Sequence, residues 1–152
     1  MPTVNLVLTA TEVDAAECYQ RLSDFARYPE LTDAVRSVEV DPPGPDGAVH
    51  SRWTVLFRNG LLRWTESDTL DPVARTITFR QLTGDFETFE GQWSVHERET
   101  GCDIAFDAHF DLGIPSLAAI LDPVAESTLR ANILTIVRGL LGAVEPVPPS
   151  HV

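Results

Sequence analysis

Ser51-Arg-Trp-Thr-Val-Leu-Phe-Arg-Asn-Gly60 and Leu62-Arg-Trp-Thr-Glu-Ser-Asp-Thr-Leu-Asp71 alternate apolar with polar residues at a period of two. Arg75-Thr-Ile-Thr-Phe-Arg-Gln-Leu82, Phe89-Glu-Gly-Gln-Trp-Ser-Val95 and Cys102-Asp-Ile-Ala-Phe-Asp-Ala-His-Phe-Asp-Leu112 continue the pattern. Such a period marks strands with one buried and one wet face. Asn59-Gly60, Asp71-Pro72, Thr83-Gly84-Asp85 and Thr100-Gly101 separate the runs as turns. The stretch therefore predicts an antiparallel meander against which the rest of the chain must pack.

Working outward toward the N-terminus, Val4, Leu6 and Leu8 alternate with Asn5 and Thr9 and predict a first strand. Thr11 or Asp14 can cap a helix carrying Ala15, Cys18, Tyr19, Leu22 and Phe25 at helical spacing. Pro29 restricts Tyr28, which predicts a second short helix or turn there. Val35 to Val40 returns to period two, and Asp41-Pro-Pro-Gly-Pro-Asp-Gly47 has the composition of a hairpin loop. Beyond Leu112, Gly113-Ile-Pro-Ser116 breaks the sheet and a helical region runs from Leu117 to about Val144. Asp122-Pro123 suggests a break in it. The stripe Leu129, Ile133, Ile136, Val137, Leu140 and Leu141 suits burial. The order β-α-α-β-β-β-β-β-β-α predicts an α+β fold, a curved antiparallel sheet of about seven strands with the long C-terminal helix on one face. Residues 1–144 form one domain in this reading, and 145–152 a Pro-rich flexible tail.

Parity assigns the two faces of the sheet, since a slip of one residue turns every side chain over. Trp53, Val55 and Phe57 face inward, as do Leu62, Trp64, Glu66, Asp68 and Leu70. Ile77, Phe79 and Gln81 follow, then Phe89, Gly91, Trp93 and Val95, then Cys102, Ile104, Phe106, Ala108, Phe110 and Leu112. Arg36 shares the parity of Val38 and Val40, and Tyr28, Thr128 and Asn132 can reach in from the helices. A wall this aromatic is either core packing or the lining of a cavity for a flat apolar ligand. Gly91 leaves room for a bend or for such a ligand. Glu66 and Asp68, two residues apart on one strand, cannot both ionise cheaply if buried together. One pKa should rise into the range useful for general acid or base work, unless the pair is wet or tied to an arginine such as Arg36.

Net charge narrows the partners: the chain of 152 residues carries −12, and all 11 of its basic residues are arginine. Nucleic acid and anionic membrane both call for a positive footprint. The only candidate patch is Arg52, Arg58, Arg63 and Arg80, which share outward parity. His50, His96, His109 and His151 have no metal-ligand spacing, and neither a Gly-x-Ser-x-Gly elbow nor a phosphate-binding Gly-rich loop occurs. Neither a metal nor a cofactor is expected. Met1-Pro-Thr-Val-Asn5 lacks a basic region and a long apolar run, and no segment approaches ~18 apolar residues, so a cytoplasmic location without membrane insertion is the expectation. Cys18 and Cys102 read as small buried hydrophobes.

Val4-Asn-Leu-Val-Leu-Thr-Ala10, Asp24-Phe-Ala-Arg-Tyr-Pro-Glu-Leu31, Leu62-Arg-Trp-Thr-Glu-Ser-Asp68, Arg75-Thr-Ile77, Thr83-Gly-Asp-Phe-Glu-Thr-Phe-Glu-Gly-Gln-Trp93 and Thr128-Leu-Arg-Ala-Asn132 together resemble the START-like (SRPBCC) superfamily. Within it they are similar to the polyketide cyclase/dehydrases and aromatase/cyclases, with the coenzyme Q-binding proteins as relatives. The resemblance spans about residues 3–143. It implies a helix-grip fold whose interior pocket takes a polyketide or other apolar chain. In the aromatase/cyclases that chain is tethered to an acyl carrier protein, and intramolecular aldol condensation and dehydration close an aromatic ring. Those enzymes place an arginine on the inner face four residues after the strand tryptophan. Trp64 matches that tryptophan, Trp93 matches a second one, and Asp68 stands at the arginine's place.

The function expected from the sequence is thus a polyketide cyclase or aromatase. Glu66 or Asp68 would move the proton, and Arg36, Gln81 or Tyr28 would donate to the developing oxyanion. Trp53, Phe57, Trp64, Phe79, Phe89, Trp93, Phe106 and Asn132 would contact substrate. The alternative is a non-catalytic carrier of a quinone, lipid or polyketide, and the chain could act as a monomer or a homodimer.

Overall fold

The structure is a computed structural model that describes residues 3–57, 60–113 and 118–147. Arg58 and the tail beyond Val147 lie outside the described residues. The elements run β1 (Thr3–Ala10), α1 (Ala15–Ser23), a 3₁₀ turn at Phe25–Arg27, α2 (Tyr28–Leu31) and β2 (Val35–Val40). They continue through β3 (Val49–Phe57), β4 (Gly60–Asp71), β5 (Thr76–Gly84), β6 (Thr88–Glu97) and β7 (Cys102–Asp111) to α3 (Ala118–Leu141) and β8 (Val144–Pro146). All eight strands form one sheet in the order β2-β3-β4-β5-β6-β7-β1-β8. The fold is α+β, a curved antiparallel sheet holding a C-terminal helix.

Of the two caps expected for α1, Thr11 and Asp14, it is Asp14 whose carboxylate accepts from the Glu17 N–H at 2.8 Å. Ala15, Cys18, Tyr19 and Leu22 then turn one buried stripe inward. The long helix does not break at Pro123. Proline forfeits one backbone bond there, but the helix is continuous from Ala118 to Leu141 because the stripe from Ala125 to Leu141 is anchored in the core. Gly142, at φ +82°, stops it by donating its N–H to the Arg138 carbonyl. An eighth strand stands where a flexible tail was expected to begin: Glu145 and Pro146 pair with Thr9 and Leu8 of β1. Pro146 is tolerated because β8 is the sheet edge.

Two irregularities set which side chains point inward. Between Val35 and Ser37 the β2 pairing slips by one residue, so Val35 opposes Val55 while Val38 opposes Trp53. Arg36 is the extra residue of that bulge and is exposed, against the inward placement that parity assigned it. A second slip on β5 leaves Leu82 unpaired and keeps Glu66 opposite Gln81. Gly91 allows β6 and β7 to approach: a Cβ there would lie 2.2 Å from the Asp107 carbonyl oxygen of β7. Among the described residues no helix is long and apolar enough to cross a membrane.

Candidate functional site

The helix and the concave face of the sheet meet around a cavity of about 70 Å³. Trp53 and Val55 of β3, Trp64 and Glu66 of β4, and Phe79 of β5 supply part of its wall. Phe89 and Trp93 of β6, Phe106 of β7, Tyr28 of α2, and Leu129, Asn132 and Ile133 of α3 complete most of the rest. The rings pack on one another. Trp53 and Trp64 lie parallel within 6° at 6.1 Å, and Trp93 meets Phe106 edge-on at 4.7 Å. At roughly 10–15 Å³ per water this space holds a handful of waters, so a larger guest must displace aromatic side chains or shift α3. A wider groove of about 410 Å³ crosses the outside of the sheet beside Arg52, Arg63 and Asp85, away from both inward carboxyls.

Nine of the residues expected from the sequence meet at this wall: Tyr28, Trp53, Trp64, Glu66, Phe79, Phe89, Trp93, Phe106 and Asn132. Phe57 is half-buried against the core edge and is not among the lining residues. Gln81 is also off the wall, its Nε2 donating to the Phe86 carbonyl at 2.8 Å. Asp68 is fully buried two residues along β4 from Glu66, outside the lining. Arg36, on its bulge, cannot reach the site. Phe25, Ile77 and Ile136 also line the cavity, although their spacing in the sequence marks them only as core positions.

Glu66 and Asp68 stand at the centre of a buried polar chain. Trp64 Nε1 donates to Glu66 Oε1 at 2.7 Å, Ser51 Oγ donates to Asp68 Oδ2 at 2.5 Å, and Trp53 Nε1 donates to Ser51 Oγ at 2.8 Å. Burial pushes the Glu66 carboxyl well above the usual carboxylate range, and the adjoining Asp68 adds to the push. Burial raises Asp68 as well, while hydrogen bonds from Glu66 and Ser51 pull it back. Both shifts favour the neutral form, and the push is the stronger at Glu66. The bonding supports this: Asp68 Oδ1 is buried with no donor among the described residues unless Glu66 carries a hydrogen. No arginine pairs with either carboxyl among the described residues, so the structural ion pair weighed from the sequence is absent.

The other polar groups of the wall have their protons committed. Tyr28 Oη donates to the Leu22 carbonyl at 2.5 Å, and burial next to the two acids keeps it neutral. Asn132 Nδ2 donates to the Leu56 carbonyl at 2.6 Å and ties α3 to β3. Ser51 is the residue that sequence reasoning missed, although it shares the parity of Trp53 and Val55. Of the outward arginines, Arg52 is spent on Glu39 and Asp41 at 2.9 and 3.2 Å.

A family model described as polyketide cyclase / dehydrase and lipid transport matches residues 11–135. The chain belongs to this family. No curated protein matches it in sequence. Among solved structures, a protein of Thermus thermophilus superposes with a TM-score of 0.81 at 21% identity, covering 91% of this chain and 94% of its own. The Zhui aromatase/cyclase of a Streptomyces species gives 0.75 at 20% identity over 92% and 91%. A START superfamily protein of Mycobacterium smegmatis gives 0.78 at 17% over 93% and 97%. At these identities the likeness establishes the shared fold, and the chemistry has to come from the site of this family member itself.

Proposed function

We propose that the protein is a polyketide cyclase that folds a poly-β-ketone chain inside the aromatic cavity and uses Glu66 as its proton-carrying group. The observation that carries this reading is a carboxyl buried in an apolar wall, where burial favours its neutral form. Its proton is shared with a second acid, whereas the protons of Tyr28 and Asn132 are tied to backbone carbonyls. A simple carrier of apolar ligands has no use for such a group, which costs stability to bury.

The chemistry follows from the proton's position. As an enol carbon of the chain attacks a ketone, Glu66 gives its proton to the ketone oxygen. The enol returns to a ketone and its O–H proton recharges Glu66. In dehydration Glu66 protonates the departing hydroxyl, and its carboxylate then takes the α-proton, so water is the net loss. Asp68 acts through Glu66, accepting its hydrogen between turnovers. Holding the chain in one folded conformer supplies the other large contribution.

The test is incubation of the protein with a poly-β-ketone thioester, followed by product analysis. Glu66→Gln should stay folded and lower the rate of ring closure by about 10²- to 10⁴-fold, the usual worth of a positioned acid or base. Wild-type rates in Glu66→Gln would remove Glu66 from the chemistry, whereas cyclisation unchanged with and without protein, alongside tight binding, would favour the carrier reading that the lipid-transport part of the family description supports.

A further inference from the structure

Asp68 is fully buried, receives a hydrogen bond from Ser51, and has a second oxygen without a partner among the described residues, to which a hydrogen on the adjoining Glu66 could be given. Ser51 is itself fully buried in β3, directly across from Glu66 in the β3–β4 pairing. Its hydroxyl has one hydrogen to give. Because Trp53 Nε1 already donates into its oxygen at 2.8 Å, the hydroxyl is turned toward Asp68 Oδ2. We propose that Ser51 is a positioning residue: oriented by Trp53, it fixes Asp68 as the acceptor of the pair and so places the shared hydrogen on Glu66, the member that faces the cavity.

The geometry makes the assignment one-sided. A carboxylate that accepts two hydrogen bonds is stabilised as an anion, whereas a protonated Asp68 would leave Ser51 or Glu66 without an acceptor of comparable strength. Trp64 Nε1 does donate to Glu66, but one neutral indole N–H offsets less than the burial that opposes charge there. The other titratable groups acting on the pair from elements packed against it are Tyr28 of α2, buried and neutral, and His50 of β3, exposed. Tyr28 spends its hydrogen on the Leu22 carbonyl, and the hydrogen bonds to the two carboxyls come from Ser51 and Trp64. Trp53 thereby joins the proton chain as well as the aromatic wall. Its catalytic meaning rests on the cyclase reading, but the placement of the proton does not.

Carboxyl ¹³C NMR on protein labelled at Asp and Glu, titrated with pH, reads the placement without substrate. In the wild-type protein Asp68 should ionise first and Glu66 should stay protonated beyond it; the reverse order would overturn the proposal with no variant needed. Ser51→Ala removes the donor to Asp68 and should move the Asp68 midpoint up by about one to two pH units, the worth of one hydrogen bond to a charged group. Ser51→Thr keeps the hydroxyl and should restore the wild-type midpoint. An unshifted Asp68 in folded Ser51→Ala would overturn the role of Ser51 and leave the cyclase reading untouched. Absence of turnover in wild type, with the midpoints moving as stated, would instead overturn the cyclase reading and leave Ser51 in its place. If both hold, the acid limb of the pH–rate profile should move with the Asp68 midpoint.

Discussion

Replacing Glu66 by glutamine should stabilise the fold, and by an amount that grows with pH. Glu66 is only 5% exposed and its carboxyl is raised well above the usual range by burial. Unfolded, it ionises near pH 4.3. Above that pH the unfolded chain has released a proton that the folded chain still holds, so raising the pH favours unfolding. The group's contribution is intact below the unfolded value and is lost progressively until the pH reaches the folded one. The loss runs at about 1.4 kcal/mol per pH unit. A glutamine side chain has nearly the same volume, can accept from Trp64 and can donate to Asp68, yet cannot ionise. The stability difference between Glu66→Gln and wild type should therefore rise between pH 5 and 7 by up to about 2.7 kcal/mol, a large share of the ~5–15 kcal/mol typical of a domain. Urea unfolding followed by tryptophan fluorescence at pH 5, 6 and 7 and fixed ionic strength measures it. A difference that stays flat or shrinks with pH would mean that Glu66 is already charged in the fold, and the proton assignment would be refuted.

Other consequences follow from single contacts. Gly91→Ala places a Cβ 2.2 Å from the Asp107 carbonyl oxygen and 2.8 Å from the Ala108 Cα, so β6 and β7 must part. A loss of about 1–3 kcal/mol or more in denaturant unfolding is expected. Asn132→Ala removes the bond to the Leu56 carbonyl and leaves that oxygen unsatisfied. The cost should be about 1–3 kcal/mol, with faster amide hydrogen exchange along the second half of α3. Phe106→Ala empties part of the cavity wall, which should cost about 3–5 kcal/mol and tighten binding of an apolar fluorescent dye, read by direct titration.

Much of this architecture was legible because a period of two is a physical consequence of the pleat. Once Trp53, Trp64 and Trp93 were set inward, Glu66 and Asp68 had to follow. Parity fails only where pairing slips, and Arg36 shows how: the bulge between Val35 and Ser37 inserts one residue that alternation cannot foresee. The same arithmetic gave inwardness without depth. It could not tell that Glu66 reaches the cavity while Asp68 stays out of its lining, nor that Phe57 stops at the core edge, because depth depends on the curvature of the sheet and the seat of α3. Ser51 carried the right parity, but a lone serine announces nothing until its partners are in place. β8 was hidden by composition, since Pro146 and its neighbours look like tail and pair only because β1 offers them an edge.

Placing an acid at residue 68 changes what the site can do. The resemblance read from the sequence implies an arginine at this place, a fixed positive charge suited to an enolate. Asp68 reverses that sign, and an anion behind the wall would repel an enolate if it were unscreened. In the cyclase reading proposed above, a hydrogen on Glu66 would resolve the conflict: Glu66 lines the cavity and Asp68 does not, so an incoming ketone oxygen would meet a neutral donor. Such a donor works only in a dry cavity, because hydration would remove the burial that holds Glu66 neutral. At about 70 Å³ the space admits only a handful of waters, and a bound apolar guest would have to displace them. A guest that enters must replace the packed rings with apolar surface of its own, or the group that acts on it loses its proton.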